Sequence, residues 1–356
     1  MKLDSISLCS FRCYDSLDIS FNEGINAILG GNGSGKSSLA EAIYYLSLGR
    51  SWRSDDDSAL IAYGEEGARI EACFSEGALR RNLVFEISKQ RKRVFLNEKP
   101  LRRLSELASL LNIMLFVPTD VTMFKGPPSV RRSFLDTSLV KQSKEYLSFL
   151  SEYGRLLKER NILLKSESVN LPLLDVLTQR MIEAEKGIVR YRTLYIKEAN
   201  EAIRETTTKL FGENRVLQLD YSPFVKGDGE FLDLARAAHE KAKENDLFRK
   251  TTTIGVHRED FAMLLDGKDV SVYGSQGENR LAAIILKLVP YRLIKEKNKK
   301  PVAVLDDILS ELDSVHEERL LALLQEQGQC FLTATKKNII GASCIDVLNH
   351  KATRRN

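Results

Sequence analysis

The sequence predicts an α/β domain built around a phosphate-binding loop and interrupted by a long helical insertion. Three stretches carry that prediction. Gly30-Gly31-Asn32-Gly33-Ser34-Gly35-Lys36-Ser37 satisfies the pattern G-x-x-x-x-G-K-[ST] at every fixed position. A short apolar run, residues 301–305, ends in Asp306-Asp307, as a buried strand does when it delivers carboxylates at its C-terminal edge. Between them lie two long amphipathic patterns, around residues 146–164 and 173–210, which read as an antiparallel helical hairpin.

The loop has the right context. Ile25-Asn26-Ala27-Ile28-Leu29 before it suits a buried strand, and Ser38-Leu39-Ala40-Glu41-Ala42-Ile43-Tyr44-Tyr45-Leu46 after it is apolar at helical spacing. Glycines admit positive φ and close approach, so successive N–H groups can face phosphate oxygens where a side chain would collide. The following helix adds its positive N-terminal end. Gly30, Gly31, Asn32, Gly33, Ser34, Gly35, Lys36, Ser37 and Ser38 are therefore the candidate nucleotide contacts. Lys36 suits the β- and γ-phosphates of a nucleotide, and Ser37 suits Mg²⁺ held with them. A plain glycine turn would need neither the flanking elements nor the Lys-Ser pair.

At 356 residues the chain suits one α/β core with a sizeable insertion, and 43% hydrophobic residues can fill that core. A formal net charge of +4 permits nucleic acid as a partner without arguing for it. Cys9, Cys13, Cys73, Cys330 and Cys344 show no metal-ligand spacing and suit reduced thiols of a cytoplasmic protein. Residues 1–8 alternate like a strand rather than a signal peptide, and no window approaches a spanning helix, so a membrane-embedded role is excluded.

Residues 2–21 predict two antiparallel strands around Arg12, which either reaches the nucleotide phosphates or is an exposed turn arginine. Strands are expected at 68–74, 83–88 and 93–96. The basic tip Lys89-Gln90-Arg91-Lys92-Arg93 either tracks a DNA backbone or is solvated. Residues 113–117 predict another buried strand. Gly126-Pro127-Pro128 marks a boundary, after which Ser129 is expected to cap a helix carrying Arg131 and Arg132. At about 1.5 Å per residue the second hairpin helix extends on the order of 50 Å. A strand at 217–224, a helix at 231–248 and a hairpin at 261–272 follow. Ser275 and Gly277 open an apolar helix, 281–293, whose free N–H groups form an anion site or carry an ordinary serine cap. Asp306 suits the Mg²⁺ shell and Asp307 suits orienting or deprotonating the attacking water. A helix at 315–325 and a strand at 330–333 precede a polar tail, 351–356, expected to fray.

The order of these pieces resembles the ATP-binding-cassette ATPases of chromosome maintenance and recombination, and within them the bacterial RecF family. The resemblance rests on Phe11-Arg12, residues 30–37, Gly49-Arg50-Ser51-Trp52-Arg53, residues 116–120 and Lys125-Gly126-Pro127. It continues through Arg131-Arg132-Ser133-Phe134-Leu135-Asp136, residues 255–260, Gly274-Ser275-Gln276-Gly277 and residues 305–313. It implies an ATPase head (1–124 and 251–356) split by a helical lobe (125–250). Two chains would sandwich two ATP molecules, with Ser275 and Gly277 of one holding the γ-phosphate bound by Lys36 of the other. It further implies an ATP-dependent homodimer that clamps double-stranded DNA at gaps or single-strand to double-strand junctions. Such a clamp would cooperate with RecR and RecO to load RecA.

The catalytic set so implied is Lys36, Asp306, Asp307 and Ser275, with Arg12 as a further nucleotide contact. Arg131, Arg132, Arg91, Lys92 and Arg93 are candidate DNA contacts on clustered charge. Transporter cassettes carry Glu where this chain has Asp307, and His where it runs Thr333-Ala334-Thr335-Lys336, so hydrolysis is expected to be slow. A transporter subunit or a chromosome-structure complex is the alternative within the cassette group. A small-molecule kinase would explain neither Ser275-Gly277 nor the arm.

Overall fold

The structure, a computed structural model, describes residues 1–212, 214–293, 302–326, 328–335 and 339–355. Pro301, Lys336 and Asn356, which fall within the stretches named above, lie outside them. The chain forms two compact units. One comprises Met1–Asp120, Lys209–Phe211 and Leu286–Asn356; the other comprises Val121–Thr208 and Gly212–Ile285. The first break falls near the expected one at 124, but the return falls well after 251. Residues 251–285 stay with the second unit because the strand Asp260–Leu265 pairs along its length with Leu217–Ser222 and packs on the helix Pro128–Gln142.

In the first unit, a parallel sheet runs in the order Ser343–Leu348, Ile25–Leu29, Cys330–Ala334, Val302–Leu305, Ile113–Phe116. Ile25–Leu29, Val302–Leu305 and Cys330–Ala334 are buried at every position, as strands covered on both faces must be. Lys351–Arg354 adds an antiparallel edge by pairing with Ile345–Leu348, so the tail does not fray up to Arg354. Its lone inward residue, Ala352, is too small a signal to distinguish a strand from a polar tail in sequence.

An antiparallel sheet runs in the order Tyr14–Ser20, Lys2–Phe11, Gly67–Glu76, Leu79–Ser88, Lys92–Leu96, Lys99–Pro100. The helix Lys36–Leu48 packs against both sheets. Its Tyr45 ring lies 5.2 Å from Phe85 on the antiparallel side, and the helix touches the strands Cys330–Ala334, Val302–Leu305 and Ile113–Phe116 on the other. Leu39, Ala40, Ala42, Ile43, Tyr45 and Leu46 are all fully buried. The helix is apolar nearly all round because it is a core element, each large side chain contributing about 2 kcal/mol by burial.

Lys144–Leu164 and Leu171–Phe211, in the second unit up to Thr208, form the expected antiparallel hairpin. Tyr146 meets Tyr191, Glu152 meets Arg180 and Arg160 meets Thr178, in opposite chain senses. The 41 residues of the longer helix correspond to about 60 Å. Side chains of Ser143 and Asn170 cap the two helices by accepting from Tyr146 N and Leu173 N. Gly187 is required at the seam, since a Cβ there would lie 2.5 Å from the Phe149 ring. Two local expectations change. The helix expected to be capped by Ser129 starts at Pro128 with Pro127 before it, because proline at the first position has no N–H to satisfy. The hairpin expected over 261–272 ends at Asp269, whose side chain accepts from Ser271 N and starts the turn Val270–Tyr273.

Candidate nucleotide-binding site

The loop between Leu29 and Lys36 needs its glycines for separable reasons. A Cβ on Gly30 would lie 2.4 Å from Val347 O, and one on Gly35, at φ +114°, 2.9 Å from the Tyr14 hydroxyl. Gly33 holds φ +77°, while added Cβ atoms on Gly31 and Gly33 meet nothing, so the loop's outer face is open. Gly31, Asn32 and Gly33 are exposed. Lys36 is 8% exposed and its Nζ donates to Gly31 O at 2.7 Å. Burial pulls its pKa below that of free lysine, and the carboxylates of Asp307 and Asp306 oppose that pull.

The carboxylate pair sits where the sequence predicts. Asp306, 9% exposed, follows Val302–Leu305, and its Oδ1 accepts from Ser37 Oγ at 2.9 Å. Thr333 Oγ1 also donates to Oδ1, at 2.8 Å. Asp307 is exposed and holds φ 50°, a left-handed conformation rare outside glycine. The parallel register of three neighbouring strands thus brings residues 37, 306, 307 and 333 to one sheet edge.

These residues fit a magnesium nucleotide. The Ser34 hydroxyl is buried in the loop without a hydrogen-bond partner among the described residues, although such groups are ordinarily satisfied. Ser37 and Asp306 supply two hard oxygens side by side. No cluster of three or more His, Cys, Asp or Glu among the described residues makes an all-protein metal cage. That donor set matches Mg²⁺, which usually takes one or two protein oxygens and completes its shell with phosphate and water.

Arg12 does not lie free. At φ 55°, it donates from Nε and Nη2 to Glu41 at 2.9 and 2.6 Å and from Nη1 to Ala59 O at 2.6 Å. Glu41 is fully buried and also accepts from Ser51 Oγ and, at 3.4 Å, from Arg53. The stretch Gly49 to Arg53 therefore folds around one carboxylate on the loop helix. Glu41 was missed in the sequence, where its signal is a single acid inside the apolar run Leu39-Ala40-Glu41-Ala42-Ile43.

In the second unit, Ser275 opens the helix Gln276–Leu293 through a reciprocal cap, its N–H donating to Glu278 Oε2 at 2.9 Å and its Oγ accepting from Glu278 N at 3.2 Å. Ser275, Gln276 and Gly277 remain exposed.

The candidate DNA contacts divide. Arg131 is 8% exposed and engaged at all three guanidinium nitrogens, paired at 2.7 Å through Nε and Nη2 with Asp260, while Nη1 donates to the carbonyls of Met123, Phe124 and Gly126. Lys92 turns inward, donating to Asp57 and Gly49 O at 2.6 Å with its ammonium over the Tyr45 ring. Both are corrected from surface cations to structural clamps: strand and helix periodicity, invisible in a charge count, points them inside. Arg132 is half-buried and donates to Glu259 O at 2.8 Å. Arg91 and Arg93 are exposed.

No helix among the described residues is long and apolar enough to cross a membrane. The RecF/RecN/SMC N terminal domain family matches residues 2–353. The DNA replication and repair protein RecF of Halalkalibacterium halodurans is 36% identical over 345 residues, 94% of this chain and 93% of that protein. A solved structure described as the recombination mediator protein RecF-ATP in the RecFOR pathway is 30% identical, covers 99% of each chain and superposes with a TM-score of 0.85. The Smc head domain of Pyrococcus furiosus, 17% identical with a TM-score of 0.63 over 99% of this chain and 95% of that one, shares the fold. With an almost full-length family match and an ATPase-head fold common to RecF and Smc, this chain belongs to the RecF family of ABC-type ATPases.

Proposed function

We propose that this protein is an ATP-dependent DNA clamp of recombinational repair and replication restart. It dimerises with ATP on double-stranded DNA, favours gaps or single-strand to double-strand junctions, and helps RecR and RecO load RecA. Slow hydrolysis resets the dimer. The observation that carries this reading is the 2.9 Å contact between Ser37 and Asp306 at the mouth of the glycine loop, a two-oxygen site ready for a cation. The relative named as a DNA replication and repair protein and the RecF-ATP structure support it.

In this reading the loop N–H groups and Lys36 hold the phosphates, and Lys36 leaves Gly31 O for the γ-phosphate. Ser37 and Asp306 hold Mg²⁺, which when bound offsets phosphate charge as the γ-phosphoryl transfers. Asp307, exposed beside them, orients or deprotonates the attacking water. Arg12 keeps two of its five N–H groups beyond those given to Glu41 and Ala59, and these are its offer to the nucleotide.

Ser275 and Gly277 of a second copy complete the site. The exposure of Val272 and Tyr273, 69% and 71%, supports a protein interface beside them. Of the basic tip, Arg91 and Arg93 with Lys89 remain the DNA contacts we propose, and Arg132 contributes at most its unspent donors.

The test is equilibrium binding of Mg·ATP and then of gapped DNA to wild type, Lys36→Ala and Asp306→Asn. We expect Lys36→Ala to lose nucleotide and with it DNA, and Asp306→Asn to lose the Mg²⁺ dependence. DNA affinity equal in all three with and without ATP would overturn the proposal.

A further inference from the structure

We infer that Thr333 is a positioning residue for the metal-binding carboxylate, fixing Asp306 and Asp307 together through one hydroxyl. This rests on the reading of Asp306 as the Mg²⁺ ligand. Thr333 lies on the strand Cys330–Ala334, in parallel register with Val302–Leu305, and is 1% exposed. Its Oγ1 accepts from Asp307 N at 2.8 Å and lies 2.8 Å from Asp306 Oδ1. A hydroxyl has a single proton, and a backbone N–H can only donate. The bond directions are therefore set: Asp307 N–H gives to Thr333, and Thr333 O–H gives to Asp306.

Two consequences follow from that polarity. Oδ1 of Asp306 receives two hydroxyls, from Thr333 and Ser37, which fixes the carboxylate plane while Oδ2 takes no hydrogen bond among the described residues. The N–H of Asp307 is anchored at the residue whose backbone is left-handed, at φ 50°, so the side chain offered to water is aimed by the same hydroxyl. Threonine suits the task because its branched Cβ allows few rotamers in a strand. Valine would fill the same space and make neither bond.

Partners that orient a metal ligand change metal affinity when removed, typically about 10–100-fold. Mn²⁺, detectable by electron paramagnetic resonance, is the probe for Mg²⁺. The experiment titrates Mn²⁺ into full-length protein with ATP for wild type, Thr333→Val, Thr333→Ser and Asp306→Asn, and measures ATP affinity separately in EDTA. The expected result is Mn²⁺ affinity about 10-fold or more weaker in Thr333→Val, with metal-free ATP affinity unchanged. Thr333→Ser, which keeps the hydroxyl, should stay within a few-fold of wild type. If valine is not accommodated, Thr333→Ala reads the same loss. Wild-type Mn²⁺ affinity in Thr333→Val while Asp306→Asn is impaired would overturn the inference alone, as would an equal loss in Thr333→Ser. Unchanged affinity in Asp306→Asn would overturn the reading of the site with it.

Discussion

The nucleotide edge of the first unit and the Glu259 hub of the second spend their polar groups in opposite ways. In the first, Asp307, the loop Gly31–Asn32–Gly33 and the Ser34 hydroxyl are left exposed or unpartnered at one sheet edge. In the second, the charges around Glu259 and Asp246 are closed on one another. Arg192 is 1% exposed and gives Nη1 to Glu259 at 2.6 Å and Nη2 to Asp136 at 2.8 Å, while Arg160 bonds Asp246 at 2.7 Å and Thr252 at 2.8 Å. Glu259 also accepts from Tyr221 and from Phe224 N. The stretch 255–260, one of those that carry the family resemblance in sequence, is thus the hub of a folded interior. A distinctive motif marks constraint; only residual donors and acceptors mark a binding site.

Four perturbations sharpen that contrast, and the largest removes a hub. Arg192→Met leaves the buried Glu259 and the half-buried Asp136 without their cation, and breaking such a buried pair costs about 3–5 kcal/mol. Urea unfolding should show it, and a loss below about 1 kcal/mol, the worth of a surface pair, would break the comparison. Gly187→Ala should cost about 1–3 kcal/mol by overpacking against Phe149. An unchanged thermal midpoint would mean that the hairpin seam adjusts freely.

The third effect depends on pH. His257 accepts from the Tyr153 hydroxyl through Nδ1 and faces Thr252 O through Nε2, which suits the neutral ring. Burial, aided by Arg258 and Arg132 against the Thr252 hydrogen bond, lowers its pKa to about 4. The unfolded chain takes up that proton near 6.5 and the folded one near 4, so stability falls as pH drops from 6.5 toward 4. The melting temperature of wild type should decline across that window more steeply than that of His257→Gln; parallel slopes would remove His257 from the account.

The smallest effect on stability is expected from Arg91→Glu with Arg93→Glu, within about 0.5 kcal/mol because both are exposed. DNA affinity should fall together with its salt dependence, the log–log slope flattening by about 0.9 for each phosphate that is no longer neutralised. Unchanged affinity would move the DNA surface elsewhere.

The nucleotide loop was legible because its chemistry is local: eight consecutive residues bring their own backbone groups, and strand and helix periodicity frame them. The two-carboxylate strand was legible for the same reason. The partners of those residues were not, since Glu41 to Arg12 and Thr333 to Asp306 are joined by fold and not by spacing. Arg131 and Lys92 show the reverse failure, where a cluster of cations in the chain separates into inward and outward faces once periodicity is applied. The boundary near residue 285 was hidden because the pairing of Asp260–Leu265 with Leu217–Ser222 spans segments that look unrelated in sequence.

The most direct test of the central claim is sedimentation velocity of wild type and Ser275→Arg with ATP, Mg²⁺ and gapped DNA. The account predicts that wild type dimerises on DNA only with ATP, and that Ser275→Arg binds ATP yet stays monomeric, since an arginine at that exposed helix start obstructs a second copy. Wild type bound to DNA as a monomer regardless of nucleotide would contradict it.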